Sequence, residues 1–111
     1  MEKVLFVCSF NEDRSTTAEW MFNRMKGFEA RSAGTSKSAR KRINENDLKW
    51  ADDIVVMEES HRQNILNSFG DKYAGKISVL GIIDEYKFMS PELQALIEKK
   101  MRILFPKMLR E

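Results

Sequence analysis

The chain has 111 residues, of which 42% are hydrophobic, and a formal net charge of +2. This length suits one domain with a single core, so we expect residues 1–111 to form one unit. The hydrophobic content excludes a disordered chain, and the near-neutral charge gives no general reason to bind nucleic acid. The N-terminal apolar run is too short for a signal peptide or a membrane span, and a lone cysteine suits a reducing compartment. We therefore expect a cytoplasmic protein without a membrane partner.

Apolar segments with strand-like and helix-like spacing alternate along the chain. Strands are predicted at residues 4–7, 28–31, 54–57 and 77–80. Helices are predicted at residues 15–26, 43–50, 61–69 and 91–105, with Gly27, Gly70 and Pro106 as their stops. This alternation indicates an α/β fold in which a parallel sheet is covered by helices on both faces.

Local signals refine three of these boundaries. Ser90-Pro91-Glu92 combines an N-cap serine, a proline at the first helical position and a first-turn acid, so a helix should begin there. Ser60 is expected to cap the third helix. The small residues 32–36 predict a loop after the second strand.

The only cysteine, Cys8, stands directly after the first predicted strand. In parallel α/β sheets, ligands bind beyond the carboxyl ends of the strands. Residues 9–13 then lead into a helix N-terminus, where free N–H groups attract anions, and Arg14 adds a planar guanidinium suited to phosphate. We predict that Cys8 is a nucleophile, held as a thiolate beside a bound tetrahedral oxyanion.

Two further residues fit this interpretation. Ser15 can donate a hydrogen bond to the sulfur, both before attack and when the sulfur leaves again. Asn11 tolerates left-handed backbone angles better than other non-glycine residues, which helps a loop whose amides must turn inward. The predicted phosphate-binding residues are Ser9, Phe10, Asn11, Glu12, Asp13 and Arg14. Inorganic phosphate or sulfate should also fit this loop.

The pattern Cys-x-x-Asn-x-x-Arg-Ser, followed by Thr-Thr-Ala-Glu, resembles the phosphate loop of the low-molecular-weight protein tyrosine phosphatases. Three later segments resemble that family in the same order: residues 32–35, residues 51–61 and residues 83–86. The resemblance covers nearly the whole chain and implies a flavodoxin-like, three-layer sandwich around a four-stranded parallel sheet. The chain would be a short variant, reduced between Thr35 and Ile43.

This resemblance implies hydrolysis of a phosphorylated protein or a small aryl phosphate through a phosphocysteine on Cys8, without a cofactor or a metal. Asp84 stands where the family has its general acid. It would protonate the leaving oxygen and later activate water. Asp52, Asp53 and Glu58 remain alternatives for that role.

Several positions depart from the family pattern. Tyr86 matches the family's aromatic residue and would form the wall of the substrate slot together with Phe10, but Phe10 itself replaces a glycine. Glu85 replaces a proline, and Asp13 replaces a second loop cysteine. Glu12 and Asp13 put negative charge beside the expected phosphate site, which is tolerable only if their carboxylates point away.

Other interpretations stay open. Cys8 could be a buried structural thiol, and Arg14 could form a helix-start ion pair with Glu12 or Glu19. The whole protein could be a phosphocarrier similar to the IIB components of sugar phosphotransferase systems, or a non-catalytic relative that binds anions or proteins. An arsenate reductase would require an external thiol. His61 is expected to face solvent or cap its helix, and the oligomeric state is not predicted.

Overall fold

A computed structural model describes residues 1–107 and residue 109. Within these residues, four parallel strands form one sheet in the order β2-β1-β3-β4. The strands are β1 (Glu2–Cys8), β2 (Phe28–Gly34), β3 (Asp53–Val56) and β4 (Ile77–Val79). The helices are α1 (Arg14–Phe22), α2 (Glu45–Trp50), α3 (Glu59–Phe69) and α4 (Pro91–Leu104), with a short 3₁₀ helix at Ala74–Lys76. The predicted α/β class and the four-stranded parallel sheet are confirmed.

The central strand β1 brings Cys8 to the middle of the sheet edge. Its pairing with β2 sets Cys8 opposite Gly34, and its pairing with β3 sets Val7 opposite Val56. Side chains alternate along β1, so Phe6 and Cys8 join the core beneath α1 and α4, while Leu5 and Val7 join the core beneath α2 and α3. The sheet is therefore covered on both faces, as the unbroken apolar runs predict.

Two predicted boundaries differ from the structure. Strand β2 continues through Gly34, because Ser32 and Ala33 pair with Phe6 and Val7 of β1; the loop predicted for residues 32–34 is therefore wrong. Helix α1 ends at Phe22, short of the predicted stop at Gly27. The small residues 32–34 are typical of a loop, and only their pairing with β1, which is distant in the sequence, makes them part of a strand.

Helix ends were predicted with mixed success. Ser90 caps α4 and accepts a hydrogen bond from the Leu93 N–H, as expected, and the helix ends before Pro106. Gly70 closes α3 with φ of 80°. The cap assigned to Ser60 is wrong, because Glu58 is the N-cap of α3. None of the described helices is long and apolar enough to cross a membrane.

The carboxyl end of β2 supports the loop that follows Cys8. The N–H groups of Thr35 and Ser36 donate to the carbonyls of Cys8 and Ser9, at 3.0 and 2.9 Å. A Cβ atom on Gly34 would lie 2.6 Å from the Ser9 carbonyl oxygen and 3.0 Å from the Asn11 nitrogen. Glycine is needed here because the two backbones approach so closely.

We expect Gly34→Ala to displace the loop after Cys8 and to lower the free energy of unfolding by about 1–3 kcal/mol, the usual cost of overpacking. Gly75→Ala is the matched control, since a Cβ atom there would meet no atom within 4 Å. Urea unfolding of the two variants checks this prediction. Equal effects of the two substitutions would contradict it.

Candidate active site

A small cavity opens at the sheet edge where β1 ends. Its volume is about 30 Å³. Its lining comes from the end of β1, the loop that follows, the start of α1 and the segment after β4: Cys8, Phe10, Glu12, Asp13, Arg14 and Asp84. The structure thus brings together the predicted nucleophile, the predicted arginine and the predicted general acid. Their chemical roles stay predictions.

The sulfur of Cys8 is buried and has one hydroxyl neighbour. Cys8 is 2% exposed, and its Sγ lies 3.0 Å from the Ser15 Oγ. The Ser15 Oγ already accepts a hydrogen bond from the Asn11 Nδ2 at 2.9 Å. Its own hydrogen is therefore free to point at the sulfur, which suits a Cys8 thiolate as acceptor.

Asn11 holds the tightest turn of the loop. Its φ of 57° lies in the left-handed region, as predicted for this residue type. Its Nδ2 also donates to the Ser32 Oγ at 2.9 Å, and Ser32 donates in turn to Glu19. Arg40 donates from Nη2 to the Asn11 Oδ1 and from Nε to the Asn11 carbonyl, at 3.0 and 3.1 Å. These bonds fix a conformation that is costly for a non-glycine residue.

In the peptide groups of residues 9–13, the carbonyls form hydrogen bonds within the protein and the N–H groups do not. Each of their carbonyls accepts a hydrogen bond, from the N–H groups of Ser36, Arg40 and Thr17, from the Arg40 guanidinium or from the Thr16 hydroxyl. None of their N–H groups donates to another residue in the described part of the chain. A run of N–H donors without protein acceptors is the arrangement that binds an anion.

Arg14 completes this set of donors. It is 2% exposed, and its Nη1 donates to the Glu58 Oε2 at 2.5 Å and to the Ile82 carbonyl at 2.8 Å. Its Nε lies 3.8 Å from the Asp84 Oδ1, an ion-pair contact beyond hydrogen-bond distance. The Nε and Nη2 edge of the guanidinium thus keeps its hydrogens for a ligand.

The acidic residues considered for the site separate clearly. Asp84 lines the cavity with a side chain that is 59% exposed, and Glu58 reaches the site through Arg14. Asp52 and Asp53 lie at the opposite edge of the sheet, where Asp52 accepts from the Lys3 N–H. They are therefore too remote to act as the general acid.

The proposed ion pair of Arg14 with Glu12 or Glu19 does not form among the described contacts. Glu19 accepts from Ser32, and Glu58 takes the place beside Arg14. Glu12 is exposed and lines the cavity.

Asp13 has a use that the sequence did not suggest. Its Oδ1 accepts a hydrogen bond from the Phe88 N–H at 2.9 Å, and the neighbouring Met89 N–H donates to the Thr17 Oγ1 at 2.9 Å. These two bonds join α1 to the segment that carries Asp84. Asp13 lines the cavity, and its carboxylate is held to a backbone donor.

The two predicted wall residues differ in position. Phe10 lines the cavity and is exposed, so it is placed where an aromatic wall would be useful. Tyr86 is half-buried and packs against the core beneath α1 and α4, outside the residues that line the cavity.

His61 and Glu58 are the site residues whose contacts were missed. They form a capping box at the start of α3, in which the Glu58 N–H donates to the His61 Nδ1 at 3.0 Å. The other ring nitrogen, Nε2, lies 2.9 Å from the Ser9 Oγ. His61 is buried, so its expected exposure is wrong, whereas its expected capping role is confirmed. The spacing of Glu58 and His61 fits a capping box, but neither residue is a usual member of that motif, and the end of β3 decides which residue caps α3.

The ring of His61 is neutral at pH 7. Burial lowers its pKa from 6.5 to about 4; the Arg14 charge lowers it further, while the Glu58 and Asp84 charges act in the opposite direction. Because Nδ1 accepts from a backbone N–H, the hydrogen of the neutral ring is on Nε2, which donates to Ser9.

The fold and the loop define a class: an α/β protein in which a loop of unpaired N–H donors joins the end of a central strand to a helix N-terminus. No family model and no curated protein sequence matches the chain. Solved structures do. The low-molecular-weight protein tyrosine phosphatase from T. tengcongensis is 27% identical, with a TM-score of 0.69, over 95% of this chain and 96% of that one.

Two further structures match over nearly their whole length. The arginine phosphatase YwlE from Geobacillus stearothermophilus is 18% identical, with a TM-score of 0.71, over 100% of this chain and 98% of that one. The low-molecular-weight protein tyrosine phosphatase from Streptococcus pyogenes is 19% identical, with a TM-score of 0.74, over 99% and 95%. The chain has the fold of low-molecular-weight protein tyrosine phosphatases, and the predicted resemblance to them is confirmed.

We expect His61 to make stability depend on pH. Its folded pKa of about 4 lies below the ordinary 6.5, so the unfolded chain binds more protons between these values. The stabilisation by the neutral ring is fully present above pH 6.5 and is lost as the pH falls toward 4. The difference in unfolding free energy between wild type and His61→Asn should thus shrink by up to ~3 kcal/mol over that interval.

Urea unfolding of both proteins across this pH range measures the difference. Glu2 titrates in the same range, because burial, followed by the neighbouring Asp53 carboxyl group, raises its pKa to about 7. Its effect has the opposite sign but is common to both proteins, so it cancels. A difference that does not change with pH would contradict the prediction.

Proposed function

We propose that the protein is a phosphomonoesterase that uses Cys8 as its nucleophile. The observation that carries this proposal is the one-sided loop: the carbonyls of residues 9–13 are tied back and their N–H groups are not. A phosphoryl group bound by these N–H groups and by the free edge of Arg14 would lie against the Cys8 sulfur. The same donors would stabilise the charge that the three equatorial oxygens carry during transfer.

Two displacements complete the reaction. The Cys8 thiolate attacks phosphorus, an S–P bond forms, the bond to the leaving oxygen breaks, and Asp84 donates its proton to that oxygen. Water then attacks the phosphocysteine, Asp84 accepts a proton from the water, and the S–P bond breaks to release phosphate. The hydrogen of Ser15 stabilises the thiolate that leaves.

The structural neighbours support this route. They are protein tyrosine phosphatases and an arginine phosphatase. In one structure of YwlE, 21% identical to this chain, the active-site serine of a cysteine-to-serine mutant is phosphorylated. A covalent phosphoenzyme therefore forms on this fold, as we propose for Cys8.

The test of this function is the hydrolysis of aryl phosphates by wild type, Cys8→Ser and Asp84→Asn. Cys8→Ser should abolish turnover. Asp84→Asn should lower kcat by about 10²–10⁴-fold, the usual contribution of a general acid. The loss should be larger for phenyl phosphate than for nitrophenyl phosphate, because the better leaving group needs less protonation.

Glu85→Gln and Glu58→Gln separate Asp84 from its neighbours. Glu85 is exposed and lies next to Asp84, so its neutralisation should change kcat little. A dependence on the leaving group in Glu58→Gln, but not in Asp84→Asn, would move the acid to Glu58. Lack of hydrolysis, with a long-lived phosphocysteine after incubation with a phosphorylated protein, would favour a phosphocarrier instead.

A second substrate class is favoured by the charge around the cavity. Glu12 and Asp84 line it, and both are exposed. A carboxylate beside a phosphate site attracts a cationic substrate group and has little effect on a neutral phenyl ring. Phosphoarginine carries such a cation, a guanidinium, next to its phosphorus. The structural neighbour YwlE, an arginine phosphatase, fits this choice.

We expect Glu12→Gln to lower kcat/KM for a phosphoarginine peptide and to leave or raise kcat/KM for a phosphotyrosine peptide. One lost exposed charge contact is worth roughly 2- to 5-fold. Parallel assays with the two peptides measure the ratio, and Glu92→Gln, on the exposed start of α4, is the control for a general charge effect. An unchanged ratio would mean that Glu12 does not select the substrate.

A further inference from the structure

The start of α3 contacts both ends of the loop formed by residues 9–14. Glu58 accepts from Arg14, the last residue of that loop, at 2.5 Å. His61 contacts Ser9, the first residue, at 2.9 Å. One capping box therefore contacts both ends of the loop. Its two members are far from the loop in sequence: Glu58 is 44 residues from Arg14, and His61 is 52 residues from Ser9.

The two nitrogens of His61 have separate tasks. Nδ1 accepts from the Glu58 N–H and so belongs to the helix cap. Nε2 donates to the Ser9 Oγ and so belongs to the loop. The charged groups around the ring come from three elements: Arg14 from α1, Glu58 from its own cap and Asp84 from the segment after β4.

Ser9 is restrained by hydrogen bonds on the side of the loop that faces away from the cavity. Its side chain is outside the residues that line the cavity, and its carbonyl accepts from the Ser36 N–H at 2.9 Å. The bond to His61 adds a second restraint, on the side chain. With both in place, the peptide group between Ser9 and Phe10 keeps its carbonyl turned away from the cavity and its N–H free for a ligand.

We propose that His61 is a positioning residue of the phosphate site, which fixes the first peptide groups of the loop through Ser9 without touching the substrate. This inference rests on the proposed function, since it assigns His61 to the same site. The proposal requires the tautomer with its hydrogen on Nε2, which donates to Ser9 while Nδ1 accepts from the Glu58 N–H.

His61→Asn separates the two tasks. The side-chain oxygen of asparagine is bonded to Cγ, as Nδ1 is in histidine, so it can still accept from the Glu58 N–H and keep the cap. It ends there and cannot reach Ser9. Ser9→Ala removes the same contact from the other side and leaves His61 in place.

The experiment compares wild type, His61→Asn, Ser9→Ala and the double variant. Each single variant should lower kcat/KM for an aryl phosphate, and the affinity for inorganic phosphate, by about 10-fold, the size expected for one well-placed hydrogen bond. The double variant should lose no more than either single one, because both remove the same contact. At pH 7, Ser9→Ala should still unfold cooperatively in urea, so that its loss of phosphate affinity is measured on folded protein.

Additive losses in the double variant, or wild-type phosphate affinity in both single variants, would overturn the proposal. Phosphate affinity needs no turnover, so a protein that binds phosphate but hydrolyses nothing would defeat the proposed function and still test His61. If the variants fail to fold, the wild type suffices. His61 is the only histidine, and a ring spectrum by ¹⁵N NMR that shows its hydrogen on Nδ1 would equally overturn the proposal.

Discussion

The site depends on the orientation of a few peptide groups. A loop that binds an anion must turn its N–H groups inward, and each carbonyl then needs a partner on the opposite side. Residues 9–13 meet this condition because Ser36 and Arg40, in the loop after β2, and the first turn of α1 supply those partners. The left-handed conformation of Asn11 makes this orientation of the peptide groups possible. Gly34 approaches the loop closely, and its lack of a Cβ atom leaves room for the loop.

The acidic residues near the loop act within this arrangement. A buried guanidinium is costly unless it is paired, and Glu58 pairs with Arg14 through a single nitrogen, so the rest of the fork stays available. Asp13 accepts from Phe88 and thereby joins the loop to the segment of Asp84. In the sequence, the negative charges of Glu12 and Asp13 weaken the case for a phosphate site. In the fold, the Asp13 carboxylate is bound to a specific donor, and Glu12 is the exception.

Several features could be read from the sequence because they depend on neighbours along the chain. The buried strands, the Ser90-Pro91 helix start, the Gly70 stop and the left-handed Asn11 follow from residue type and spacing. The extension of β2 to Gly34 and the cap at Glu58 could not be read in this way. The first depends on pairing with β1, and the second on where β3 ends.

The sequence by itself determined the order of strands and helices along the chain. It also determined the loop from Cys8 to Ser15, because a strand, a turn and a helix start are encoded locally. Only the tertiary structure decided which groups surround that loop. The contacts of Arg14 with Glu58, Ser9 with His61, and Asp13 with Phe88 join residues 44, 52 and 75 positions apart. Such partners are chosen by the packing of the sheet and its helices, which no local pattern of residues specifies.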